Sequence, residues 1–110
     1  MDIEKTPIAE VINDGNILLV YTPTVSKSSR TYIPICTIIQ YNIRRDTERN
    51  YGYNDWPNDK DYFYITAYTD KGSIDFGYSY DYKECVKTLE TLLEKIYPKK
   101  PEKNMITMPN

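Results

Sequence analysis

The apolar positions of this chain follow two different periods. Between Phe63 and Tyr80 they recur at every second residue. Phe63, Ile65 and Ala67 alternate with Tyr62, Tyr64, Thr66 and Tyr68, and Ile74, Phe76, Tyr78 and Tyr80 alternate with Ser73, Asp75, Gly77 and Ser79. A period of two with one apolar face predicts a half-buried antiparallel pair of strands. Asp70-Lys71-Gly72 supplies the tight turn, with a glycine free to take positive φ. The alternation puts Phe63, Ile65, Ala67, Ile74, Phe76 and Tyr78 on the core side. Tyr62, Tyr64 and Tyr68 face away from it.

From Tyr82 the period changes. Tyr82, Cys85, Val86, Leu89, Leu92, Leu93 and Ile96 trace one face of a helix, and the spacing predicts an amphipathic helix over 81–97. Asp81 stands at the N-cap position with Glu84 three residues on, and Pro98 stops the run. No other long helical pattern exists in the chain, so this apolar stripe must cover a sheet.

Upstream, Ile8–Ile12 and Ile17–Thr22 flank Asn13-Asp14-Gly15-Asn16, a hairpin signal. Thr31–Ile43 is β-branched and aromatic and reads as strand. Pro34 within it marks an edge, a bulge or a break, because proline donates nothing to a central ladder. Arg44–Lys60 shows neither period and reads as a loop. A single late helix leaves no crossover connection, which excludes a parallel sheet. The expected fold is therefore α+β, a bent antiparallel sheet or partial barrel of about five to seven strands closed by one C-terminal amphipathic helix. One domain is expected over 1–97, followed by a flexible C-terminal tail over 98–110.

Composition narrows the function. The 110 residues suit one domain, and the net charge of −2 gives no electrostatic case for duplex nucleic acid or a strongly anionic membrane. No apolar run approaches the length of a membrane span, and the polar, acidic start Met1–Lys5 does not read as a signal peptide, so a cytoplasmic protein is expected. Cys36 and Cys85 both fall on apolar faces and read as buried thiols. The chain has no histidine, which removes the usual triad and any histidine-based metal site. Its glycines are scattered, with no phosphate-cradling loop. Asp55, Asp59 and Asp61 lack the glycine and distal glutamate of a calcium loop and read as a solvated acidic stretch. No catalytic residue, cofactor or metal is assigned, and the chain reads as a non-enzyme.

What remains is aromatic. Tyrosine occurs 12 times. Tyr51, Tyr53 and Trp56, set among Asn and Gly, have the composition of a binding loop with rigid amphipathic anchors. With the outward row Tyr62, Tyr64 and Tyr68 they form the candidate site, and the expected partner is another protein or a second copy of the chain. Single-stranded nucleic acid needs a basic groove beside the rings, and Arg44, Arg45 and Arg49 are mixed with Asp46 and Glu48. A reading of a different class is a small inhibitor or accessory protein of a phage or mobile element, anti-defence or virion-associated. It is suggested by the abundance of Ile, Asn, Lys and Tyr that AT-rich coding produces.

The run TYIPICTII (31–39), the hairpin FYITAYTDKGSIDFGYS (63–79) and the helix YKECVKTLETLLEKI (82–96) together resemble bacterial pleckstrin-homology (PH)-like domains. The resemblance implies a strongly bent antiparallel sheet plugged at one end by the helix, and a role as a protein-binding platform. Lipid-binding members carry a basic pattern in the first strand-to-strand loop. Here Lys27 and Arg30 are followed by Tyr32 in place of the last arginine, a departure that argues against a lipid head group as ligand.

Overall fold

The computed structural model describes residues 2–26, 28–49 and 59–98. Among these residues it contains strands β1 (Ile8–Ile12), β2 (Ile17–Tyr21), β3 (Arg30–Pro34), β4 (Ile38–Glu48), β5 (Lys60–Thr69) and β6 (Gly72–Ser79), then helix α1 (Tyr82–Ile96). Short 3-10 turns, Ile3–Lys5 and Ile35–Thr37, precede β1 and β4. The fold is α+β with antiparallel pairing throughout, as the pattern predicts. The strands form two three-stranded sheets, ordered β1-β2-β3 and β4-β5-β6, where one bent sheet was expected. The division falls at Pro34. The proline ends β3, and the 3-10 turn behind it redirects the chain before β4 begins.

In the first hairpin Ile12 pairs with Ile17. Asn13, Asp14 and Gly15 between them all take positive φ, at 56°, 53° and 87°. These residue types reach the left-handed region most readily. The turn lies against the end of α1: a Cβ on Gly15 would stand 3.2 Å from the Lys95 carbonyl oxygen.

In the second sheet, the stretch read as a loop from Arg44 is strand as far as Glu48. The long β5 provides its partner, with Arg44 opposite Tyr64, Asp46 opposite Tyr62 and Glu48 opposite Lys60. An edge strand exposed to water needs no apolar alternation, so periodicity could not reveal it.

The core lies between the sheets and the helix. Leu18, Val20, Ile33, Ile65, Ala67 and Phe76 meet Cys85, Leu92 and Ile96 there. Leu89, Phe63 and Ile74 pack partly buried against this cluster. The Asp81 carboxylate caps α1 by accepting the Lys83 N–H over 3.0 Å. Tyr82, on the predicted stripe, stays about half exposed and meets the Phe63 ring edge-on at 5.4 Å.

Two expectations are corrected. Cys85 is buried, but Cys36 is exposed, because it sits in the 3-10 turn after Pro34 where strand alternation does not hold; both are free thiols. Tyr78 is not a core-facing residue. Phe63 pairs with Ser79 and Ile65 with Phe76, so Gly77 and Tyr78 together stand opposite Tyr64 alone. This is a β-bulge, with Gly77 at φ 70°, and the extra residue turns Tyr78 to the outer face.

The expected tail from Lys99 onward lies outside the described residues. Among those described, no helix is long and apolar enough to cross a membrane.

Candidate functional site

The outer face of the β4-β5-β6 sheet is built by strand alternation. β5 presents Lys60, Tyr62, Tyr64, Thr66 and Tyr68, and β4 sets Glu48, Asp46, Arg44, Asn42 and Gln40 opposite them. β6 adds Ser73 and Asp75, and the bulge adds Tyr78.

Three phenol rings meet at the centre of this face. Tyr64 and Tyr78 stack with centroids 5.0 Å apart and planes 20° apart. Tyr62 lies 6.0 Å from Tyr64 and 6.1 Å from Tyr78, tilted by about 30° in each case. These separations fall in the favoured range for aromatic pairs.

Polar contacts fix the surroundings. The Tyr62 hydroxyl donates to Asp46 Oδ2 over 3.3 Å. The buried Thr66 hydroxyl donates to Asp75 Oδ1 over 2.8 Å. Tyr80 donates to Glu48 Oε1 over 3.0 Å, and Lys60 Nζ sits 4.1 Å from the centre of its ring.

Two of the phenols, Tyr62 and Tyr78, hold their protons more tightly than a free tyrosine. Burial, followed by the negative charge of Asp75 and the neighbouring Tyr64 and Tyr62, pushes Tyr78 up to about 12. Tyr62 is raised as well, by burial first and then by Asp46. The Tyr62 and Tyr78 hydroxyls thus stay neutral beside Asp46 and Asp75, with Arg44 and Lys60 on the same face.

Of the residues singled out in the sequence, Tyr62 and Tyr64 come together. Tyr68 shares their face further along β5, opposite Gln40 and Ser73. Tyr51, Tyr53 and Trp56 lie outside the described residues. Simple alternation missed Tyr78 and Tyr80, although a glycine in mid-strand at position 77 was a legible bulge signal.

Of the acidic stretch, Asp55 lies outside the described residues, and Asp59 and Asp61 engage separate partners. Asp59 lies 3.8 Å from Arg49, and Asp61 accepts a hydrogen bond from Thr47 over 2.9 Å. Among the described residues no cluster of three or more His, Cys, Asp or Glu is placed to hold a metal ion. The arrangement can bury apolar area, stack against rings or aliphatic chains, and exchange hydrogen bonds at its margin.

No protein-family model, no curated protein and no solved structure matches the chain.

Proposed function

We propose that the chain is a non-catalytic protein-interaction module, and that the outer face centred on Tyr62, Tyr64 and Tyr78 meets its partner. The observation that carries this reading is the mutual contact of three tyrosine rings on the sheet face turned away from the core. The core is complete without them, so their area is free for a partner. Tyrosine combines large contact area with few rotatable bonds, and interface hot spots are enriched in it. Around the rings stand Arg44, Asp46, Lys60, Asp75 and Asn42, so an aromatic centre is bordered by polar residues in the manner of an interface rim.

The segment carrying Tyr51, Tyr53 and Trp56 supports the same reading by its attachment. It leaves the sheet after the Glu48–Lys60 pair, beside Tyr62, and Arg49 and Asp59 approach each other across its base. The resemblance to PH-like domains points the same way, since such domains serve as protein platforms. Closure of the sheets by α1 in the PH-like manner is part of this proposal.

The partner is a protein or a second copy of this chain. Three carboxylates, Asp46, Glu48 and Asp75, stand around the rings against Arg44 and Lys60, a balance that disfavours a phosphate strand or a lipid head group.

The test is the double variant Tyr64→Ala with Tyr78→Ala. Thermal unfolding should stay cooperative, while self-association in sedimentation and capture of binding proteins should be lost. Unchanged association in a folded double variant would remove this face from consideration.

A further inference from the structure

A second interaction surface lies on the other sheet, at the free edge of β3. The Ile35 N–H donates to the Asn16 carbonyl over 2.9 Å, and the Thr22 N–H donates to the Ser29 carbonyl over 3.1 Å. Both bonds continue the register that sets Leu18 opposite Ile33 and Val20 opposite Thr31. Along an antiparallel strand, successive residues turn their backbone groups to opposite edges. These bonds therefore fix the phase. Ser29, Thr31, Ile33 and Ile35 point toward β2, while Arg30, Tyr32 and Pro34 point away.

Pro34 has no N–H to leave unpaired, and its carbonyl accepts the Thr37 hydroxyl over 2.7 Å. The N–H and C=O of Arg30 and Tyr32 are turned to the open edge. Among the described residues no strand pairs with that edge.

Beside the edge is a cleft of about 370 Å³ between β3 and the β5–β6 turn. Its lining includes Ile33 and Ile74, residues of the two inner sheet faces, and Lys71 of the β5–β6 turn. An edge unpaired among the described residues thus borders an apolar recess, the two features that strand addition uses for affinity and selectivity.

We propose that an extended segment of a partner protein adds to β3 as a further strand. It bonds the backbone of Arg30 and Tyr32 and places an apolar side chain in the cleft above Ile74. The occupant is not a second copy offering its own β3. That strand has only Thr31 and Ile33 to turn inward, and Ile33 is already buried in its own core at 8% exposure, so the cleft would stay unfilled. The proposal uses a different sheet and different groups from the tyrosine face, so either can fail alone.

The test pans a displayed library of short random peptides against the immobilised full chain. Recovered peptides should alternate apolar and polar residues. As synthetic peptides they should protect the Arg30 and Tyr32 amides from hydrogen exchange. Tyr32→Pro, which removes the N–H aimed at the open edge, should weaken them about tenfold or more relative to Tyr32→Ala, which removes the same ring and keeps that N–H. Thr31→Trp, which fills the cleft from an exposed position on the same side of β3 as Ile33, should weaken them likewise, while Tyr64→Ala should leave them unchanged. Recovery of no peptide, or of peptides indifferent to both edge variants, overturns the proposal. An unfolded Tyr32→Pro chain counts against the assigned phase, and Thr31→Trp then decides.

Discussion

The Gly77 N–H donates to the Pro7 carbonyl over 3.0 Å, tying the bulge of β6 to the residue that leads into β1. The Gly77 carbonyl also accepts the Cys85 thiol at 3.6 Å, so one residue links both sheets to the helix. A Cβ at this position would stand 3.0 Å from Ile65 Cδ1, on a backbone at φ 70°. Gly77→Ala therefore meets both a strained conformation and a core side chain. It should lower stability by roughly 1–3 kcal/mol, read from the denaturant midpoint. It should also loosen the stacking of Tyr78 on Tyr64, visible in the aromatic circular dichroism. An unchanged midpoint would mean that the bulge does not hold the two sheets.

Tyr41 carries a buried hydroxyl without a hydrogen-bond partner among the described residues. A buried polar group left unsatisfied costs about 1–3 kcal/mol, and removing it while keeping the ring avoids that cost. Tyr41→Phe should raise the unfolding midpoint. A clear loss of stability would show that the hydroxyl is engaged.

Besides Tyr62, three more deeply buried groups make the fold sensitive to base. Burial pushes the Cys85 thiol from 9.0 to about 11. Burial and then Tyr97 push Tyr41 from 10.0 to about 12, and Tyr78 rises by the same span. All three are neutral when protonated, and the folded state holds the proton more tightly than the unfolded state. Stability is thus full below the unfolded values and is lost as pH rises through the folded ones. Unfolding free energy should hold steady to about pH 9 and fall from there to about pH 12. Cys85→Ala should move the start of the fall toward pH 10, the unfolded value of the remaining phenols. Denaturant melts across this range check both statements.

Much of the fold was legible because burial imposes period. The helix stripe Cys85, Leu89, Leu92 and Ile96 had to point one way, and Ile65, Ala67 and Phe76 had to share a face. Where burial imposes nothing, the signal disappears. Arg44–Glu48 is strand only because β5 is long enough to pair with it, and both of its faces tolerate charge. The bulge at Gly77 inverts the side-chain phase behind it, so counting by twos sent Tyr78 to the wrong face. Of the candidate site, Tyr62 and Tyr64 could be placed by alternation. Tyr80 could not, since its contacts with Glu48 and Lys60 depend on the far ends of two other strands.

The remaining prediction concerns Tyr51, Tyr53 and Trp56. They lie outside the described residues, and the strands and the helix supply the core formed by Leu18, Val20, Ile33, Ile65, Phe76, Cys85 and Leu92. Their segment is tethered at both ends, where Glu48 pairs with Lys60 and Arg49 lies 3.8 Å from Asp59. An aromatic anchor at an interface contributes about 2 kcal/mol or more, whereas the same ring left in water adds little to the fold. Replacing all three by Ala should leave the thermal midpoint nearly unchanged and abolish association with the partner that the tyrosine face binds. The two surfaces should also couple. In a cycle of Trp56→Ala alone with Tyr64→Ala, the losses of binding should fall short of additive, because both contact one partner surface. A triple variant that unfolds while association persists would instead assign these rings to the core.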